Sequence, residues 1–213
     1  MSTTSTGDPL KTVLHSWHAA QGGKLVEFGG WLMPVHYGSI VEEHHACRQR
    51  AALFDVSHMG RLQFNGPGTA AFLDSLLTRK ITNAAVGQVR YSLLCREDGG
   101  ILDDVLHYSL VDEHQQPYSL LVVNASNRAK IVAWIQSRLP PTITLRDLTL
   151  ETSMIAVQGP QAISLLQPYF AETLADCGYY TARNTPQGLV SRTGYTGEDG
   201  CELILPNEHA VSL

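Results

Sequence analysis

The stretch that decides the fold is Gly99-Gly100-Ile101-Leu102-Asp103-Asp104-Val105-Leu106-His107-Tyr108. Its two glycines close a turn, and the next eight residues predict a β-strand whose side chains alternate between two faces. Both faces are mostly apolar, which predicts a strand that is covered on both sides. Each face also carries a carboxylate, Asp103 on one and Asp104 on the other, where Asp is disfavoured. Because a buried ionised carboxylate without partners is costly, we expect at least one of them to serve a function or a fixed partner.

The composition describes a globular chain that can form one large domain or two small ones. Of its 213 residues, 44% are hydrophobic and 16% are charged, which excludes a disordered chain and a coiled coil. The net charge of −5 and the lack of a basic stripe predict no nucleic-acid partner. No apolar run approaches the roughly 20 residues that span a bilayer, so no membrane partner is predicted either.

The first nine residues and the cysteines both predict a cytoplasmic protein. The start of the chain has neither the apolar core of a signal peptide nor the Arg-rich pattern of a transit peptide. Cys47, Cys95, Cys177 and Cys201 are widely spaced and form no C-x-x-C pair. We therefore expect free thiols and no metal site.

Two parts of the chain share the order strand, Gly-Pro, helix. Residues 61–65 precede Gly66-Pro67, and residues 154–158 precede Gly159-Pro160. We predict that each proline occupies the first position of its helix, and that the two units belong to two related lobes. The order β-β-β-α-β between the units predicts an α+β fold with antiparallel or mixed sheets and helices packed on one face.

Several polar residues have a structural interpretation beside a functional one. His15, His18 and the group His44, His45 and Cys47 are more typical of solvated helix faces than of metal ligands. The segment Asp55-Val56-Ser57-His58 carries the residue types of a catalytic triad, but triad members meet in space and not as neighbours in sequence. We expect a buried polar turn or a ligand contact there.

Other candidates lie at the ends of predicted strands. Asn124 is either a helix cap or an amide that binds the polar edge of a ligand. Tyr91, Tyr108 and Tyr180 are core residues unless a pocket lies beside them. The glycine-rich loop at residues 192–200 is either an ordinary hairpin tip or part of a site that also includes Glu202.

Seven segments, in chain order, resemble a single family: residues 28–34, 53–60, 91–94, 99–104, 122–125, 157–160 and 191–200. Two of them are long enough to be specific, Phe54-Asp55-Val56-Ser57-His58-Met59 and Arg192-Thr193-Gly194-Tyr195-Thr196-Gly197-Glu198-Asp199-Gly200. They resemble the aminomethyltransferase, or T-protein, of the glycine cleavage system, within the folate-binding superfamily.

The resemblance implies an activity and a site. The family transfers the methylene of an aminomethyl group, carried on the lipoyl arm of the H-protein, to tetrahydrofolate and releases ammonia. By motif, Asp104 is implied as the catalytic carboxylate, with tetrahydrofolate as the co-substrate and no metal. The implied folate-binding residues are Met59, Tyr91, Tyr108, Asn124, Tyr180, Tyr195 and Glu202.

The resemblance also implies two interleaved lobes. Residues 1–55 with 146–213 are predicted as the first lobe, incomplete at its C-terminal end, and residues 56–145 as an inserted second lobe that carries the Asp strand. The C-terminal β-barrel of the family is absent from this chain. Two alternatives to the enzyme stay open here, namely a non-catalytic folate-binding module and an inactive truncated fragment.

Overall fold

The computed structural model describes residues 7–212, and within them it contains thirteen strands and five α-helices. The strands are β1 (Leu10–Lys11), β2 (Leu25–Phe28), β3 (Trp31–Pro34), β4 (Ala52–Asp55), β5 (Gly60–Asn65), β6 (Val89–Cys95), β7 (Ile101–Val111), β8 (Pro117–Val123), β9 (Thr144–Asp147), β10 (Thr152–Gln158), β11 (Ala182–Thr185), β12 (Gly188–Ser191) and β13 (Gly200–Pro206). The helices are α1 (His15–Ala20), α2 (Ile40–Gln49), α3 (Thr69–Leu76), α4 (Arg128–Gln136) and α5 (Ala162–Leu166). Short 3₁₀ turns lie at Ala125–Asn127, Gln167–Tyr169, Leu174–Asp176 and Asn207–His209.

The strands form three sheets, and the two large ones are interleaved along the chain. A small N-terminal sheet has the order β1-β3-β2. The β7 sheet has the order β6-β7-β8-β5-β9, and the β10 sheet has the order β11-β12-β13-β10-β4. Strand β4 precedes the whole β7 sheet in sequence, yet it pairs antiparallel with β10. This confirms the predicted α+β fold of two interleaved lobes, whereas the lobe boundaries at 55/56 and 145/146 stay a prediction.

The core has three layers, because each large sheet packs on helices outside and on the other sheet inside. Helices α3 and α4 cover one face of the β7 sheet, where Leu73, Ile131 and Ile135 meet Leu62 and Leu121. Helix α5 covers the outer face of the β10 sheet. The layer between the sheets contains side chains from both: Val89, Tyr108, Leu110, Leu120, Val122, Met154, Ala182, Leu189 and Ile204. We call this layer the intersheet core.

Both Gly-Pro units are present, but the predicted helix starts are wrong. Helix α3 begins at Thr69 and α5 at Ala162, two residues after each proline. The N–H of Thr69 donates to the carbonyl of Gly66, and the N–H of Ala162 donates to that of Gly159. Each proline is thus the second residue of a four-residue turn, where its fixed φ is equally suitable.

The sequence predicts a helix from Ile40 to about Leu53 with Ser39 as its cap, and α2 ends earlier than that. The Ser39 cap is confirmed, since its side chain accepts the N–H of Glu42. The helix stops at Gln49, and residues 52–55 form β4 instead. Pairing with β10 overrides the local helical pattern there.

None of the helices in residues 7–212 has the length and apolar character needed to cross a membrane. The cytoplasmic location stays a prediction.

A buried histidine in β7 gives a testable pH dependence. His107 is 1% exposed, and its Nε2 lies 3.0 Å from Oγ of Ser119. Burial, and secondly the charge of Arg90, lower the pKa of His107 to about 4 against the opposing charge of Asp74. An unfolded histidine takes up its proton near pH 6.5. Between about pH 4 and pH 6.5 the unfolded state therefore binds more protons than the folded state. The free energy of unfolding should therefore fall by up to about 3 kcal/mol as the pH drops from about 6.5 to about 4.

Urea unfolding of the wild type and of His107→Asn at pH 7 and pH 5 measures this effect. We expect the variant to lose most of the pH dependence, since it lacks the titrating ring. His114→Asn is the matched control because that histidine is exposed in the β7–β8 hairpin. An equal pH dependence in the wild type and in His107→Asn would contradict the assignment.

Candidate functional site

The two carboxylates of β7 lie in opposite environments. Asp103 is 3% exposed, whereas Asp104 is exposed to solvent. The prediction that both faces of this strand are covered is therefore wrong at Asp104. Asp104 shares its face with Tyr108, which is fully buried in the intersheet core. At Asp104, four residues nearer the start of β7, the same face is open to solvent. The site therefore lies at one end of the intersheet core.

Asp103 is fixed by three N–H donors from the segment that follows β8. Its Oδ2 accepts the backbone N–H of Asn124 at 2.9 Å, and its Oδ1 accepts Nδ2 of Asn124 at 3.0 Å. Oδ1 also accepts Nδ2 of Asn127 at 2.6 Å. Three such donors are the compensation that a buried carboxylate requires.

Asp104 accepts hydrogen bonds from two of the residues that the resemblance implies. Nδ2 of Asn124 donates to its Oδ1 at 2.8 Å, and the Tyr91 hydroxyl donates to its Oδ2 at 3.3 Å. Partial desolvation, and next the charge of Asp104, raise the pKa of Tyr91, with smaller contributions from Tyr195 and Tyr180. Asp104, Asn124 and Tyr91 thus form one hydrogen-bonded group. Asn124 occupies the cap position of the 3₁₀ turn without a capping side-chain bond, because its amide binds the two carboxylates instead.

Glu202 faces the intersheet core from the opposite sheet. Burial raises the pKa of Glu202, and a hydrogen bond from the Thr193 hydroxyl opposes that shift. Oγ of Ser191 lies 2.7 Å from Oγ1 of Thr193, which extends the polar chain. Burial and then the charge of Glu202 raise the pKa of Tyr108. The Tyr108 hydroxyl is buried and makes no hydrogen bond among the described residues.

The sequence motifs did not indicate Ser191 and Thr193 as members of this group. Ser191 ends β12 and Thr193 follows two residues later, so continued alternation puts both on one face. Ser191 is the registered neighbour of Glu202 on β13. The alternation could have indicated them once Glu202 was chosen.

Tyr180 joins the two halves of the site and has an unusual backbone. Its φ is +58°, a conformation that is uncommon for a bulky residue and that the surrounding structure must impose. Its N–H donates to the carbonyl of Arg192 at 3.0 Å, and its carbonyl accepts the N–H of Val89 at 2.8 Å. Burial raises the pKa of Tyr180, followed by the effects of Tyr179 and Glu202.

The glycine-rich loop at residues 192–200 is held at three points and displays Tyr195. Arg192 binds Asp199 through two parallel hydrogen bonds of 2.6 and 2.5 Å, within the loop. Arg48 of α2 donates to the carbonyl of Thr196 at 2.6 Å and to Glu198 at 3.0 Å. Nε2 of Gln158 donates to the carbonyl of Thr193 at 3.1 Å, inside the loop's base. Tyr195 itself is 100% exposed, so a fixed loop presents an aromatic ring to solvent.

The implied residues lie along the two sheets, from Asp104 at the open end to Tyr108 within the intersheet core. Met59 completes the set, since it packs against the intersheet core together with Leu106 and Tyr180. A cavity of about 790 Å³ lies at the other end of β7, lined by Leu110 and Val111, and Asp104 does not line it. The Asp104 side chain is therefore exposed at the surface and does not lie inside that cavity.

The interpretation of His18 as part of a solvated helix face is wrong. His18 is 3% exposed, and its Nε2 lies 2.8 Å from Oδ2 of Asp55. Burial raises the pKa of Asp55, but hydrogen bonds from His18, Ser57 and Thr12 outweigh it and hold that pKa below the usual value. The segment around Asp55 is thus the predicted buried polar turn, and its histidine partner comes from α1.

Comparison with known proteins agrees with this architecture. The family model described as the GCVT N-terminal domain matches residues 14–213. Aminomethyltransferase from Desulfitobacterium hafniense is 43% identical over 208 residues, which cover 95% of this chain and 56% of that protein. Aminomethyltransferase from Moorella thermoacetica is 45% identical over 211 residues, covering 97% and 57% of the two chains.

Two solved structures are also similar. Glycine cleavage system aminomethyltransferase T from Bartonella henselae superposes with a TM-score of 0.87 at 32% identity, over 95% of this chain and 55% of that one. Heterotetrameric sarcosine oxidase from Corynebacterium sp. U-96 has a TM-score of 0.55 at 17% identity, over 80% of this chain and 85% of the matched one, and shares the fold alone. The chain spans little more than half the length of the curated relatives described above.

Fold and site together define an α+β protein with two interleaved antiparallel sheets and an anionic, tyrosine-rich site at one open end of the layer between them. The family model covers nearly the whole chain. The chain belongs to the family of the GCVT N-terminal domain.

Proposed function

We propose that this chain is the folate-binding N-terminal portion of an aminomethyltransferase of the glycine cleavage system. It transfers the methylene of an aminomethyl group on the lipoyl arm of the H-protein to tetrahydrofolate, and ammonia and the reduced lipoyl arm are released. Lipoylated H-protein is its proposed partner and tetrahydrofolate its co-substrate. The relatives named aminomethyltransferase support this proposal. The observation that carries it is the exposed Asp104 carboxylate, which accepts hydrogen bonds from Asn124 and Tyr91.

The chemistry suits these residue types. As a folate nitrogen attacks and ammonia leaves, the methylene carbon next to sulfur gains positive charge, and release of the lipoyl thiol then gives an iminium at the folate nitrogen. The fixed Asp104 anion stabilises this developing cation or takes a proton from the attacking amine. Glu202 accepts N–H groups from the pterin ring, since a carboxylate receives two such bonds side by side. Met59, Tyr91, Tyr108, Asn124, Tyr180 and Tyr195 are the proposed contacts to the flat ring and its linker, and of these Tyr108 is fully buried before a ligand enters.

Two measurements on the 213-residue chain test the proposal. Calorimetry with tetrahydrofolate should give saturable binding, and aminomethylated H-protein with tetrahydrofolate should release ammonia. Binding without ammonia release would favour the non-catalytic folate-binding module. A chain that is folded but binds no tetrahydrofolate would contradict the proposed site.

Replacement of Glu202 tests the pterin contact. Glu202→Gln should weaken tetrahydrofolate binding by roughly 10- to 100-fold, because hydrogen bonds to a charged acceptor contribute about 1.5–3 kcal/mol. Glu208→Gln is the matched control, since Glu208 follows the end of the same strand, β13, and its side chain is 81% exposed. Calorimetry of both variants at neutral pH measures the difference. Equal affinities in Glu202→Gln and the wild type would remove Glu202 from the site.

A further inference from the structure

Asn124 bridges the two adjacent carboxylates of β7. Its Nδ2 lies 3.0 Å from Oδ1 of Asp103, 2.8 Å from Oδ1 of Asp104 and 3.2 Å from the carbonyl of Asp104. An amide nitrogen has only two hydrogens, so the orientation of this group decides which acceptors it serves. An Asn side chain that bound Asp104 alone could rotate about its terminal torsion, which is broad in Asn.

Asp103 removes that rotational freedom. It binds Asn124 twice, through the backbone N–H at Oδ2 and through Nδ2 at Oδ1. The two contacts hold the backbone N–H and the side-chain amide of Asn124 against the same carboxylate in the middle of a sheet. Asp103 is 3% exposed, so solvent does not compete for these bonds.

A second set of contacts fixes Asp103 itself. Nδ2 of Asn127 donates to Oδ1 of Asp103 at 2.6 Å. Nζ of Lys130 donates to Oδ1 of Asn127 at 2.8 Å and to the carbonyl of Leu102 at 2.7 Å. The chain of contacts therefore runs from a lysine on α4, through Asn127, Asp103 and Asn124, to Asp104.

We propose that Asp103 is a positioning residue, which holds the Asn124 amide in the orientation that binds and aims the Asp104 carboxylate. The effect on catalysis rests on the proposed function, whereas the effect on Asn124 does not. A purely structural role, in which Asp103 only anchors the turn at Ala125–Asn127, would change stability and leave Asn124 and Asp104 oriented as before.

A double-mutant cycle with two readouts separates these cases. Asp103→Asn should lower single-turnover methylene transfer by roughly 10- to 100-fold, because a misplaced reacting group costs about that much, while the Kd for tetrahydrofolate changes less than about threefold. Asn124→Ala should lower the transfer rate as well, and the double variant should lose less than the product of the two single effects. Asp74→Asn is the matched control, since Asp74 also accepts two backbone N–H groups, from Ile81 and Thr82, in a loop anchor. We expect it to lower stability alone.

The second readout needs no activity. The ¹⁵N-detected side-chain amide resonances of Asn124 should shift in Asp103→Asn and stay unchanged in Asp74→Asn. If Asp103→Asn does not fold, Asp103→Ser is measured in the same way. Unchanged Asn124 resonances, or fully multiplicative rate effects in the cycle, would overturn the proposal. A wild-type chain without transfer would contradict the proposed function, and the resonances would still decide the role of Asp103.

Discussion

Asp104→Asn is expected to lower methylene transfer to tetrahydrofolate by roughly 10²- to 10⁴-fold, the usual range for removal of a positioned acid–base or charge-stabilising group. The substitution keeps the size of the side chain and one oxygen that accepts the Asn124 amide. It removes the negative charge that balances the positive charge on the methylene carbon as ammonia and the lipoyl thiol leave. The effect should therefore appear in the rate of transfer and much less in tetrahydrofolate affinity.

Single-turnover release of ammonia from aminomethylated H-protein measures this effect. Glu97→Gln is the matched control, because Glu97 is an exposed carboxylate in the turn before the same strand. The unfolding midpoint of Asp104→Asn should lie close to that of the wild type, since Asp104 is exposed. Turnover by Asp104→Asn at the rate of the control would remove Asp104 from the catalytic role.

The second large effect is expected from Arg61, which joins the two large sheets. Arg61 is 0% exposed, and its guanidinium donates to the carbonyls of Ser57 at 3.0 Å, Met59 at 2.6 Å and Thr149 at 2.5 Å. It also donates to the hydroxyl and the carbonyl of Thr152, both at 2.8 Å. These acceptors lie in or beside the two segments by which the chain crosses between the β10 sheet and the β7 sheet. The Arg61 side chain thus binds both of the segments that connect the two large sheets.

Arg61→Met should lower the free energy of unfolding by about 3–5 kcal/mol, because it leaves several buried carbonyls without donors. Burial lowers the pKa of Arg61 to about 10, so the group is still charged at neutral pH. Urea unfolding at pH 7 measures the loss, and Arg61→Lys, which keeps three donors, should lose less. The matched control is Arg146→Met on β9, whose ion pair with Glu151 is exposed and should contribute within about 0.5 kcal/mol. A loss below about 1 kcal/mol in Arg61→Met would contradict this role, since even one unsatisfied buried carbonyl costs that much.

Local patterns in the sequence predicted strands better than they predicted exposure. Alternation in residues 101–108 predicted β7, and Asp103 and Asp104 lie on opposite faces as expected. Alternation does not reveal how far the opposite sheet extends over β7. It therefore predicted that both faces of the strand are buried, whereas the face at Asp104 is exposed to solvent. Likewise, the pattern of α1 gave no indication that His18 binds Asp55, a contact between residues 37 positions apart.

The sequence by itself determined the class of the fold, the two Gly-Pro units and, through the family resemblance, the set of candidate residues. These features follow from local periodicity, turn chemistry and motif, which a single sequence records. Only the tertiary structure decided that Asp103 is buried by Asn124 and Asn127 while Asp104 is left open, and that Arg61 ties two crossings together. Each of these outcomes depends on which segments distant in sequence lie against a side chain, because burial and hydrogen bonding are set by packing and not by the residue's own neighbours.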